Sequence, residues 1–275
     1  MELATLADLL LQASTRAAAL LWQHAWQLVL FAIALIGLET LWPAVPTQRR
    51  WRRGSATDLW LSFFNPLIVH PFNAYLLAAF VNGAIATVGM ERFITTRETI
   101  AAQPWAIRFV AALLVGDLLS YWKHRIFHTR ILWRIHAVHH LTSEIDWLSN
   151  DRDHPLQLIA TYFVMITGLV LVGFSNEMIA LQSLVRRAYS LFTHTNVRWS
   201  FGPLSRILVS PTFHRWHHAS EEGMANRNYA VVFSLWDVAF GTYHEAYAEQ
   251  PRRFGVAGEE NPATLWAAIK YPLTH

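Results

Sequence analysis

"KHRIFHTRILWRIHAVHH", residues 123–140, holds five histidines in eighteen positions of a chain that is otherwise mostly apolar. Spacings of three and four residues bring side chains to one face of a helix. His124-x3-His128 and His136-x2-His139-His140 therefore each aim their imidazoles at a common point. The second pattern returns downstream as His214-x2-His217-His218. One His pair is an ordinary helix surface, whereas eight histidines in three spaced clusters would waste desolvation unless a shared cation partnered their ring nitrogens. The fold question is thus what kind of chain carries such clusters.

The 275 residues are 53% hydrophobic and only 15% charged, with 13 Trp and a positive mean hydropathy. Too few charges remain for a soluble surface. The absence of cysteine excludes disulfides, Cys-ligated zinc, iron–sulfur clusters and thiol catalysis, so any metal must be held by His, Asp or Glu. A net charge of +3, with basic residues beside hydrophobic runs rather than in an arm or stripe, gives no argument for nucleic acid.

Working outward, the first apolar segment runs from Leu20 to Trp42, long enough at ~1.5 Å per residue to cross a ~30 Å hydrocarbon core. "MELATLADLLLQASTRAAALLW" before it lacks the marks of a cleaved secretory signal and reads as an interfacial helix or as a helix leading into the span. "RRWRR", Arg49 to Arg53, follows and sets the cytoplasmic side. Leu59 to Met90 is a second segment. Its "NPLIVHPFN" suggests one kinked span rather than a re-entrant pair. Trp105 to Trp122 returns the chain inside, so the His stretch emerges there. Pro155 to Phe174 and a helix over Glu177 to Phe192 form an outward and inward pair, which puts His154 and His194 on the side of His124. "YAVVFSLWDVAFGTYH" is a peripheral piece of a cytoplasmic tail. With no repeat or flexible linker, residues 1–275 read as a single integral-membrane domain.

One zinc takes four ligands, or three and a water. Eight or more histidines fit two neighbouring ions, and imidazole suits Fe, Zn, Cu and Ni alike. The Glu-x-x-His pairs of soluble di-iron bundles do not occur here. The simplest reading is an all-His dinuclear site.

"DLLSYWKHRIFH", "LWRIHAVHH", "RDHP", "HTN", "HRWHH" and "WDVAFGTY", in this order from Asp117 to Tyr243, resemble the fatty acid hydroxylase / sterol desaturase superfamily. The resemblance implies an all-α, multi-pass membrane bundle of about four spans, with a cytoplasmic helical cap holding two irons (zinc can replace them on purification). It also implies a catalytic region over 117–243 and O2-dependent hydroxylation or desaturation of a lipid C–H bond. Carried over residue by residue, His124, His128, His136, His139, His140, His214, His217 and His218 become ligands, and His194 matches a further position. Where some relatives place one more His, this chain has Arg198, and His154 is the candidate for that tenth ligand; its alternative is to cap the helix at Pro155.

Asp117, two turns before His124, is placed to accept a ligand's free ring N–H, and Asn196 and Asp237 are weaker candidates for the same role. Asp151, three residues before His154, is a poorer ligand candidate. His24 and His70 read as structural or pocket-lining, His244 and His275 as surface. Phe127, Trp133, Trp147 and Trp216 line the site or form an interfacial belt. No dinucleotide fingerprint, Walker motif or haem-attachment motif is present, so electrons come from a separate ferredoxin, cytochrome or reductase. Lys123, Arg125, Arg130 and Arg134 would dock such an acidic donor or lie on anionic headgroups. Two rival classes are a metal or haem transporter, which needs titratable ligands along its path, and a zinc-dependent lipid hydrolase, which needs one open metal. "KYPLTH" at the end carries no ER-retention signal, which points to a bacterial inner membrane.

Overall fold

The computed structural model describes residues 3–224, 226–244 and 249–275, without the side chains of 3–14, 16, 17, 20, 70, 85 and 88. The ring of His70, and most of the side chains that would mark the N-terminal stretch as interfacial, lie outside the described residues. In chain order come α1 (Leu3–Leu41), α2 (Ser55–Val88), α3 (Met90–Ala101), α4 (Trp105–Phe127), α5 (Trp133–His140), α6 (Pro155–Val172), α7 (Asn176–Thr193), α8 (Pro211–His217), α9 (Leu235–Ala239) and α10 (Leu265–Thr274). Two 3-10 turns, Trp147–Asp151 and Gly202–Arg206, interrupt the connections. Among the described residues there are no strands, only two isolated bridges, Pro43 with Val197 and Ala219 with Phe254.

Among the described residues four helices are long and apolar enough to cross a membrane: Leu21–Leu41, Ser55–Ala84, Trp105–Phe127 and Pro155–Val172. At 39 residues α1 is roughly 58 Å long, far more than a hydrocarbon core requires. Its N-terminal part is thus continuous with the first span. α2 runs unbroken through Pro66 and Pro71, which favours the single span over the re-entrant pair. α7 forms close to where the sequence put it, with Ser175 accepting from the Met178 amide as N-cap, yet it is not among the apolar helices. Its Gln182 is buried, and its Arg186 and Arg187 turn toward Asp117 and Asp151.

The helix ends gather at one level. Main-chain bonds tie Ala44 to Asn196 and Arg198 to Trp42, joining the exit of α1 to that of α7. The Glu39 carboxylate accepts from the amides of Trp147 and Asn196 at 3.1 and 3.0 Å. Arg52 donates to Asp58 and to both oxygens of Asp146 at 2.6–2.8 Å, and Arg152 meets the other Asp58 oxygen at 2.6 Å. This network fastens the start of α2 to the loop between α5 and α6. It also revises one reading of "RRWRR": Arg49, Arg50 and Arg53 are exposed, while Arg52 is a buried strut.

Candidate metal centre

At this end of the bundle nine histidines among the described residues converge in two groups. His124, His128, His136, His140 and His217 form one, and His139, His194, His214 and His218 the other; within each group the candidate ligand atoms all lie within 4.8 Å of one another. Eight are buried and His128 is partly buried. His124 comes from the last turn of α4, His128 is its C-cap, and His194 is the C-cap of α7. α5 and α8 supply the remainder. The expectation that each cluster aims at one common point needs correction. On α5, His136 and His140 serve the five-membered group while His139 serves the other; on α8, His214 and His218 serve the four-membered group while His217 crosses to the first.

The donor set suits cations. A carbonyl oxygen can only accept, so His124 Nδ1–H donates to Tyr229 O at 2.7 Å, His194 Nδ1–H to Ser190 O at 2.8 Å and His217 Nδ1–H to Arg227 O at 2.8 Å. Gln157 turns its amide nitrogen to Asp153, so its oxygen accepts from His136 Nδ1–H at 2.7 Å. Those four rings therefore present bare Nε2 lone pairs inward. Burial pushes His194 and His217 down to about 4 and holds His128, His136, His139, His140, His214 and His218 well below the ordinary imidazole value. The Nε2 atoms of His124 and His136 face each other at 3.0 Å with no proton between them, and Nε2 of His128 and of His217 are buried without a partner. Repulsion of this kind is relieved by a shared positive charge, and acceptors behind a ring fix its tautomer as metal sites require.

The other expected residues fall as follows. His154 belongs to neither group; its Nδ1 accepts from the Leu156 amide at 3.2 Å and its Nε2 meets Ile269 O at 3.0 Å, so it caps α6 and ties α10 down. Asp117 and Asp237 touch no ligand ring. Asp117 accepts from the amides of Val232 and Phe233 (3.0 and 2.8 Å), and Asp237 from those of Tyr229 and Ala230 (2.7 and 2.8 Å). Together they hold the segment whose Tyr229 carbonyl orients His124, one link further out than the sequence suggested. Asn196 bonds Val45 through both side-chain atoms rather than a histidine. Asp151 makes a two-pronged pair with Arg187 at 3.0 and 3.1 Å. Sequence reading missed Gln157, although it stands out as a lone polar residue at the head of an apolar helix. It also missed the carbonyls of Ser190, Arg227 and Tyr229, which no side-chain pattern marks.

Beneath the histidines, between α1, α2, α4, α6 and α7, lies a cavity of about 400 Å3. His24 lines it, bonded to Ser62 at 3.1 Å, in keeping with its pocket-lining assignment. Asp153 joins cavity to centre: its carboxylate takes the Gln157 amide and lies 3.5 Å from His139 Nδ1. Lys123, expected on a docking surface, lines this cavity instead.

The model of the family described as fatty acid hydroxylase matches residues 109–242, and that region of the chain belongs to the family. The chain is 31% identical over 160 residues to the ornithine lipid hydroxylase OlsE of Rhizobium tropici (57% of this chain, 47% of that protein). It is 32% identical over 173 residues to the human alkylglycerol monooxygenase (62% and 37%), and 27% over 164 residues to methylsterol monooxygenase 2-2 of Arabidopsis thaliana (58% and 61%). The match thus spans from about a third to three fifths of these relatives' length. No solved structure matches the chain.

Proposed function

We propose that this chain is a membrane lipid monooxygenase whose nine clustered histidines hold two irons. The observation that carries the reading is the pair of buried histidine groups, four of whose rings (His124, His136, His194 and His217) turn proton-free Nε2 atoms inward, above a cavity inside a bundle of apolar helices. The family and the lipid monooxygenases and hydroxylases among its relatives support it. The reaction balances as R–H + O2 + 2 electrons + 2 H+ giving R–OH + H2O, and further removal of hydrogen in place of hydroxylation would give an alkene. Bound iron would supply oxygen activation and C–H oxidation, chemistry that amino-acid side chains lack.

The chain's own residues have the remaining tasks. Carbonyl acceptors behind His124, His194 and His217 and the Gln157 amide behind His136 lock the rings so that their lone pairs stay inward. Burial keeps them neutral at physiological pH. Asp117 and Asp237 position the Tyr229 carbonyl. The buried cap excludes water from the reacting carbon. Electrons come from a separate ferredoxin, cytochrome or reductase meeting the cap, where Arg130 and Arg134 are exposed. The 117–243 region is the catalytic part of one integral-membrane domain in a bacterial inner membrane, and its metal end faces the cytoplasm with Arg49, Arg50 and Arg53.

A transport path would spread its ligands through the spans, whereas these sit at one end; a hydrolase would use one open metal. Purified protein loaded anaerobically with ferrous iron should bind two irons per chain and, with reductant and extracted lipids, add one oxygen from labelled O2 to a lipid. One zinc per chain and no oxygen uptake with any reductant would overturn the assignment.

A further inference from the structure

The cavity under the centre is lined by the ionisable groups Lys123, Asp151, Asp153, Arg186 and Arg187, of which Asp153 also touches the metal site. Charged groups inside a bundle are costly and mark a pathway or a ligand. Two of the cations already have partners in the protein: Arg187 holds Asp151 with two bonds at 3.0 and 3.1 Å, and Arg186 lies 3.7 Å from Asp117. Lys123 and Asp153 are what remains. Among the described residues they form no ion pair with each other at contact distance, yet each is the other's strongest electrostatic partner across the cavity, and Asp153 also accepts from the Gln157 amide and lies 3.5 Å from His139 Nδ1. An ammonium and a carboxylate that attract each other without touching therefore face the same space of about 400 Å3, the size of a polar head group rather than of a whole lipid. Asn65, whose Oδ1 is buried and unpartnered, adds an acceptor on the same wall.

We propose that this cavity receives a zwitterionic lipid head group, its acidic end on Lys123 and its ammonium end on Asp153. The inference rests on the monooxygenase reading above and names its class of substrate: a lipid carrying an ammonium together with a carboxylate or a phosphate. A single-charge head would meet one of the two charges and leave the other facing it across a gap, and an uncharged head would leave the pair with only that attraction at a distance, the kind of penalty that sets specificity in buried sites.

Binding separates this from turnover. Iron-loaded, unreduced protein in nanodiscs is titrated with five short-chain lipids: ammonium plus carboxylate, ammonium plus phosphate, anionic only, cationic only, and uncharged diacylglycerol. At least one zwitterion should bind about tenfold or more tighter than each of the other three, and the two zwitterionic arms tell which acid the site takes. Lys123→Met should reduce that preference to about threefold or less, and Asp153→Asn should weaken the zwitterion without weakening the anionic lipid, each with two irons retained. Equal binding of the uncharged lipid by the unaltered protein overturns the proposal, as does an anionic lipid that binds as tightly as the zwitterions. A clear preference without oxygenation of any lipid would overturn the monooxygenase reading alone. Oxygenation without preference would overturn the head-group site alone.

Discussion

At the scale of single residues, His217 and His154 differ in how many of their ring nitrogens the protein itself commits. His217 sends Nδ1–H to a carbonyl and leaves Nε2 bare, whereas His154 has both nitrogens committed to main chain. His217→Ala should therefore lower bound iron from two toward one per chain, measured by elemental analysis. His154→Ala should keep both irons and cost about 1 kcal/mol of stability, as loss of an N-cap does. The depressed His values set a pH dependence with a definite sign. Below about 6.5 the unfolded chain takes up protons that the buried rings refuse until about 4, and these rings outnumber the carboxyls of Asp153 and Asp237, which burial raises to about 7 and about 6 and which pull the other way, so the metal-free protein should lose stability as pH falls through that window and be insensitive to the His groups above it. Thermal unfolding of chelator-treated protein from pH 8 to pH 5 checks this, and a midpoint that rises on acidification would contradict it. The two His-x-x-His-His clusters were legible as metal-binding from type and spacing alone. Their split between two groups was not, because spacing fixes a face of a helix but not the partners across from it.

At the scale of elements, the apolar segments announced themselves by length and composition, and the start of α6 by Pro155. What sequence periodicity could not give is the set of long-range ties. Asp117 precedes His124 by two turns of α4, yet its carboxylate reaches amides more than a hundred residues away. Asp117→Ala should loosen the 229–233 segment and lower iron affinity about 10- to 100-fold, as loss of an outer partner of a ligand does, while far-UV circular dichroism keeps its helical signal. Entry to α2 depends on Gly54, which sits at φ +97 where a Cβ would meet the Arg152 guanidinium. Gly54→Ala should cost more than ~1 kcal/mol, read as a lower unfolding midpoint, because strain and displacement of a buried cation act together.

At the scale of the whole molecule, four apolar helices and the antiparallel α7 bring every metal-bearing end to one level. The chain contains no native cysteine, so single reporters are unambiguous. In intact bacterial cells stripped of their outer membrane, Gln103→Cys should react with an impermeant maleimide, and Arg53→Cys and Ile131→Cys only after permeabilisation; labelling of all three in intact preparations would contradict a cytoplasmic centre. A different consequence lies in the exchange of His139 and His217. Because α5 and α8 each place two rings in one group and a third in the other, filling either group freezes both helices and prepares the second. Iron uptake should then be cooperative: at half an equivalent of supply the population should divide between empty and fully loaded chains, with the one-iron form scarce, a distribution that native mass spectrometry would resolve directly.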